Sequence, residues 1–156
     1  MPPSEKDAPG VIALPPLIFL TVLVIGVAAH LLFPVAILPH LPWRILGAVL
    51  ALTAGTIALS ARAQMKRAGT NIHPTLPATA IVTGGPYRFT RNPMYLSLCL
   101  LNLGIGLLLC DLIPVLLTLV LATVLQTGVI VREERYLEAK FGEVYSSYRR
   151  RVRRWL

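Results

Sequence analysis

The chain has 156 residues, of which 55% are hydrophobic and 14% are charged, and its formal net charge is +8. The length fits one domain, residues 1–156, and the hydrophobic fraction excludes an ordinary soluble composition. The basic residues cluster beside apolar stretches, a distribution that favours membrane topology over nucleic-acid binding, so we expect no nucleic-acid partner.

Four stretches without formal charge follow one another along the chain, at residues 17–38, 45–61, 94–110 and 112–131. Each is close to the roughly 17–25 residues that a helix needs to cross the hydrocarbon core. We predict an all-α, polytopic membrane protein with about four transmembrane helices, at about residues 14–34, 43–64, 93–110 and 112–132. The first is taken as a retained helix and not as a signal sequence, because the residues before it, MPPSEKDAPG, lack a basic n-region and no small-residue cleavage site follows.

The charge distribution predicts the orientation of these helices. Only Arg44 lies between the first two stretches and only Asp111 between the last two, whereas the other two flanks are rich in arginine and lysine. The positive-inside rule therefore places a loop at residues 65–92, the C-terminal tail and the N-terminus in the cytoplasm. We expect the basic tail to contact anionic lipid headgroups.

The cytoplasmic loop ends in a clear helix start. Three prolines and the pair Gly84–Gly85 make a continuous helix unfavourable in the loop, while its apolar pair, Ile81 and Val82, predicts packing against the rest of the protein. Asn92 is a good N-cap and Pro93 a natural first helical residue. The free N–H groups there, strengthened by Arg88 and Arg91, form either an anion site or an ordinary helix cap.

An acidic pair, Glu133 and Glu134, follows the fourth stretch between Arg132 and Arg135. These carboxylates are either solvated partners of local ion pairs or a site for an ammonium group. Apolar residues then recur at steps of three and four, which predicts a C-terminal amphipathic helix over about residues 133–155, with Gly142 as the position where it would break.

Other polar groups allow two interpretations each. Tyr87 and Tyr95 either flank a planar ring or lie at the membrane interface as ordinary aromatics. Asn102 and Gln126 are either interhelical hydrogen-bond partners or part of a substrate path. The chain has no metal-ligand spacing, so we predict no metal site, and no residue is predicted to act as a catalytic base or nucleophile.

Taken together, these features describe a carboxylate for a cation, an arginine and helix start for an anion, and aromatic and apolar walls. A zwitterionic cofactor that carries an adenine ring satisfies all three.

Two segments, GTNIHP…TAIVTGGPYRFTRNPMY and REERYLEAKFGEVYSSYRRRV, resemble the isoprenylcysteine carboxyl methyltransferase family, which belongs to a wider set with phospholipid methyltransferases. The resemblance covers about residues 69–152. It implies an integral membrane enzyme that binds S-adenosyl-L-methionine in a pocket on the cytoplasmic side. Together with the polar groups above, it predicts the cofactor-binding residues Ile81, Val82, Tyr87, Arg91, Asn92, Pro93, Tyr95, Glu133 and Glu134.

Two departures from the family pattern concern the site. Asn92 replaces the commoner histidine, and Val129 lies near the position where eukaryotic members carry an arginine for the substrate carboxylate. We predict Arg132 as its substitute, with Asn102 and Gln126 as further substrate-side residues. The expected reaction is methyl transfer to a lipophilic acceptor, first an isoprenylcysteine-type carboxylate. The alternatives are a phospholipid amine, a small thiol, or a non-enzymatic lipid-binding membrane protein.

Overall fold

The structure, a computed structural model, describes residues 8–156, so the extreme N-terminus, predicted to be cytoplasmic, lies outside the described residues. Its helices are α1 (Pro15–Leu32), α2 (His40–Arg67), α3 (Pro93–Leu108), α4 (Leu112–Leu125), α5 (Val131–Phe141) and α6 (Glu143–Arg151), with a 3-10 turn at Gly85–Arg88 and a π turn at Gln126–Ile130. Apart from two isolated β-bridges, residues 8–156 contain no strand, and the all-α prediction is confirmed.

Three apolar helices are long enough to cross a membrane: Pro15–Leu32, His40–Arg67 and the continuous helix Leu112–Phe141. The fourth apolar helix, α3, has 16 residues, a length of about 24 Å at 1.5 Å per residue, which is short of a roughly 30 Å hydrocarbon core. It ends in a tight turn at Cys110, where φ is +53°, and Asp111 then caps α4. The polytopic membrane architecture is confirmed, with three helices of spanning length and a shorter apolar helix where a fourth span was predicted.

The predicted end of the fourth helix near residue 132 is corrected. The helix passes through the π turn and continues to Phe141, because the charged residues after Val131 are good helix formers and no proline interrupts them. It ends at Gly142, where φ is +52° and ψ is −123°. The predicted helix 133–155 is therefore divided between α5 and α6, and α6 ends at Arg151.

Helices α2 and α3 pack in closest contact where two glycines face each other. A Cβ atom added to Gly47 would lie 2.6 Å from the Gly104 carbonyl oxygen, so only glycine permits this backbone approach. The loop before α3 begins later than predicted, since α2 continues to Arg67.

The two ends of the described chain meet at the π turn. The N–H of Ile12 donates to the Gly128 carbonyl at 3.2 Å, and Trp155 Nε1 donates to Gln126 Oε1 at 2.8 Å. At the opposite end of the bundle, the buried Asp111 carboxylate bonds His30 Nδ1 at 2.9 Å and the Val35 N–H at 3.1 Å. These contacts fix the register of the helices that form the site.

Candidate functional site

A cavity lies at the end of the bundle where α3 begins and the long helix α4–α5 leaves its π turn. Its walls come from the loop before α3, the 3-10 turn, the first turn of α3, α5 and α6. All nine predicted cofactor-binding residues line it: Ile81, Val82, Tyr87, Arg91, Asn92, Pro93, Tyr95, Glu133 and Glu134. The structure thus brings together two segments that lie about forty residues apart in the sequence.

Glu133 is the acidic group of this cavity with the fewest partners. The Tyr95 hydroxyl donates to Glu133 Oε1 at 2.6 Å, and in the described part of the chain no cation pairs with this carboxylate. A carboxylate accepts up to about four hydrogen bonds, so most of the accepting capacity of Glu133 is left for a ligand.

Glu134, in contrast, is the centre of a buried charge cluster. Arg154 binds it with two parallel hydrogen bonds, from Nε at 3.0 Å and from Nη2 at 2.7 Å, and Arg91 Nη2 lies 3.1 Å from Oε1. Two guanidinium groups against one carboxylate leave one net positive charge. The Nε of Arg91 is buried and has no hydrogen-bond partner among the described residues.

The C-terminal tail closes the site beneath α3. The Arg154 carbonyl accepts from Thr90 Oγ1 and from Asn92 Nδ2, each at 3.0 Å, and the Arg91 N–H donates to the Arg153 carbonyl at 2.9 Å. Asn92 occupies the predicted N-cap position, but its side chain makes no capping hydrogen bond. The amide is used to hold the tail.

Buried tyrosines complete the wall formed by α6. The Tyr148 hydroxyl donates to the Tyr87 carbonyl at 2.7 Å, and Tyr145 lies beside Arg91, whose Nη1 is 3.5 Å from the phenolic oxygen. Burial raises the pKa of Tyr145 to about 12 and raises the pKa of Tyr87 and of Tyr148 further, so all three stay protonated at neutral pH.

Sequence reasoning missed Tyr145, Tyr148 and Arg154 as site residues. The two tyrosines lie three residues apart on the apolar face predicted for the tail helix, which was a usable signal. Arg154 belongs to a run of tail arginines, and nothing in the sequence distinguishes it from its neighbours.

The three predicted substrate-side residues do not line the cavity. Asn102 Nδ2 bonds the Pro114 carbonyl and Thr118 Oγ1, at 3.2 and 3.0 Å, and so joins α3 to α4. Gln126 receives the Trp155 indole N–H, and the exposed Arg132 donates to the Gly10 carbonyl at 3.0 Å. For Asn102 and Gln126 the contacts are those of structural hydrogen-bond partners.

The family model for phospholipid methyltransferases matches residues 42–144, well over half of the chain and all but the last helix of the cavity. The chain belongs to the phospholipid methyltransferase family. This family consists of integral membrane methyltransferases and includes the isoprenylcysteine carboxyl methyltransferases. The chain is also similar to an uncharacterized protein of Haemophilus influenzae, with 44% identity over 63 residues, which are 40% of this chain and 100% of that relative. No solved structure matches the chain.

Membership of the phospholipid methyltransferase family implies S-adenosylmethionine as the methyl donor, and the cavity fits that group. Glu133 has free capacity to bind a cation, the Arg91 cluster carries a positive charge with an Nε that has no partner among the described residues, and aromatic and apolar side chains complete the lining. Residues 8–156 contain no cluster of side chains that could hold a metal ion.

Proposed function

We propose that this membrane methyltransferase transfers a methyl group from S-adenosyl-L-methionine to a lipophilic acceptor that reaches the cavity from the membrane. The observation that carries the proposal is the charge pattern of the cavity. Glu133, whose hydrogen-bond partner among the described residues is the neutral Tyr95, lines the same cavity as Arg91 and Glu134, which form a net positive cluster with Arg154. That pattern is complementary to a zwitterion.

Each wall of the cavity has a role in this proposal. Glu133 binds the ammonium group of the cofactor, and Arg91 with nearby backbone N–H groups at the start of α3 binds its carboxylate. Tyr87, Ile81 and Val82 surround the adenosine. When bound, the cofactor supplies an electrophilic methyl group on a sulfonium. The protein's own contribution is to align the reactants and to exclude water.

An isoprenylcysteine-type carboxylate is the first acceptor we propose. It is already nucleophilic at neutral pH, so it needs no general base, and the sequence predicts none.

A phospholipid amine or a small thiol is the second acceptor that we propose, and one observation favours it. Val129, near the position where eukaryotic relatives carry the substrate arginine, is completely buried and apolar, and Arg132 is bonded to Gly10 outside the cavity. A carboxylate acceptor therefore lacks the cation expected for it.

The first test is a titration of the detergent-solubilised protein with S-adenosylhomocysteine. Glu133→Gln should weaken binding by at least about tenfold, because a charged hydrogen bond contributes roughly 1.5–3 kcal/mol. Glu138→Gln is the matched control, since that residue is exposed and its only ion pair within residues 8–156 is with Arg149. Equal binding by wild type and Glu133→Gln would rule out this cofactor site.

The second test is transfer of a labelled methyl group to prenylcysteine, phosphatidylethanolamine and alkanethiol acceptors in parallel. Methylation of one class identifies the head group. A wild-type protein that binds no S-adenosylhomocysteine and labels none of the three would support a non-enzymatic lipid-binding role.

A further inference from the structure

A second cavity adjoins the first and is almost entirely apolar. It lies between the start of α1, the residue Ala58 on α2, and Ser97 and Leu98 on α3. Its lining includes no Asp, Glu, Lys or Arg from the described part of the chain. The two cavities share the loop residues 72–74 and the first turn of α3 at Met94 and Tyr95. The Tyr95 hydroxyl bonds Glu133, so this tyrosine belongs to the boundary between a charged and an apolar compartment.

The N-terminal segment, residues 9–16, contributes to both compartments. Pro9 lines the charged cavity, whereas Leu14, Pro15 and Pro16 line the apolar one. The segment therefore crosses from one cavity to the other before α1 begins.

The middle of this N-terminal segment is held against the π turn. The Ile12 N–H donates to the Gly128 carbonyl, and a Cβ atom at position 128 would overlap the Ile12 side chain, so the contact requires glycine there. Arg132 Nη1 bonds the Gly10 carbonyl, and Val11 packs on the core that includes Leu125 and Val129. Gly10 has a φ of +61°, which a residue with a side chain rarely adopts.

We propose that the apolar cavity receives the hydrocarbon chain of the acceptor, and that the N-terminal segment, held by Ile12 at Gly128, is the wall that sets the chain length accepted. The inference rests on the proposed methyl transfer, because it places the acceptor on the far side of Tyr95 from the cofactor. Pro15 and Pro16 form one side of this cavity and the small Ala58 another. A chain that fits exchanges its contacts with membrane lipid for close van der Waals contact with these walls, and a longer one must displace the N-terminal segment.

The experiment compares chain lengths in protein saturated with S-adenosylhomocysteine. The probes are prenylcysteines with one, two or three isoprene units and n-alkylamines of matching length, titrated in detergent. Ala58→Leu fills the apolar cavity and should weaken binding of the longest bound chain by about tenfold, while the shortest chain and S-adenosylhomocysteine bind as in wild type. Ala48→Leu makes the same change on an exposed position of α2 and serves as the control.

The role of the N-terminal segment is tested by removing its contact with the π turn. Ile12→Ala removes the side chain that packs against Gly128, and Gly128→Ala displaces that side chain. Both variants should therefore raise the affinity for the longest chain relative to the shortest by about tenfold. Two variants are used because either substitution alone could disturb folding, which size-exclusion chromatography monitors.

Four results would overturn the inference. The first two are an Ala58→Leu variant that weakens binding of all chain lengths equally, and an Ala48→Leu variant that weakens binding of the longest chain as much as Ala58→Leu does. The other two are folded Ile12→Ala and Gly128→Ala variants with the wild-type length profile, and wild-type protein that binds S-adenosylhomocysteine but no chain of either series. Wild-type protein that does not bind S-adenosylhomocysteine fails at the earlier step and contradicts the proposed function itself.

Discussion

Glu133 and Glu134 are neighbours in the sequence, yet their side chains have opposite surroundings. Glu133 accepts one hydrogen bond from Tyr95, whereas Glu134 is bound by the guanidinium groups of Arg91 and Arg154. A buried carboxylate that is already paired holds structure together, and one with spare capacity is suited to bind a ligand. We therefore expect substitutions of the two residues to have separable effects.

Glu134→Gln should lower the free energy of unfolding by about 3–5 kcal/mol, because it leaves two guanidinium groups in a buried site without their carboxylate. Chemical denaturation in detergent measures this loss, with Glu138→Gln as the control at an exposed pair. A stability close to wild type would mean that the cluster is open to water and contributes little.

The sequence predicted which residues line the cavity better than the contacts that each makes there. Glu133, Arg91 and Tyr95 were singled out because a helix start and an acidic pair flank neighbouring apolar helices. The difference between Glu133 and Glu134 was not predictable, because it depends on Arg154. That residue reaches the cluster only after Gly142 has turned the chain back.

At the scale of helices, the contact between α2 and α3 depends on two glycines. A Cβ atom at Gly47 would lie 2.6 Å from the Gly104 carbonyl oxygen and 2.8 Å from the Leu108 nitrogen, and backbone atoms cannot yield to it without separating the helices. Gly55 lies on the same helix with nothing within 4 Å of such an atom. Gly47 and Gly55 therefore offer a matched comparison between a packed and an open position of α2.

Gly47→Ala should destabilise the protein by about 1–3 kcal/mol through overpacking, although alanine is the better helix former. Gly55→Ala should be neutral or stabilise by up to about 1 kcal/mol, since it changes helix propensity alone. Thermal unfolding of the two variants in the same detergent checks the difference. If both variants unfold at the same temperature, the helices are not in the contact described.

Hydropathy identified all four apolar helices, but it did not predict where the last of them ends. The apolar stretch stops at Val131, whereas the helix continues for ten residues to Phe141. Hydropathy reports which residues prefer lipid, while the end of a helix depends on backbone conformation. The helix therefore ended at Gly142, which carries the positive φ, and not at the first charged side chain.

For the whole molecule, the distribution of arginine and lysine still predicts that both termini and the loop before α3 are cytoplasmic. A cysteine at the exposed Val144 should then react with a membrane-impermeant maleimide only after cells are opened, and one at the exposed His40 should react in intact cells. The native Cys99 and Cys110 are buried, so the parent chain gives the background. The reverse labelling pattern would show that the protein has the opposite orientation in the membrane.

The π turn at Gln126–Ile130 sets the direction in which the side chains of α5 point around the helix axis. A π turn holds one residue more than the α-helical turn it replaces, and one residue corresponds to about 100° of rotation around the helix axis. Deleting Thr127, whose side chain is exposed, should restore a regular helix and rotate Glu133 away from Tyr95. Helix content measured by circular dichroism should persist while S-adenosylhomocysteine binding is lost, and Thr127→Ala should retain both. On this view a single inserted residue sets the direction in which the acidic pair points.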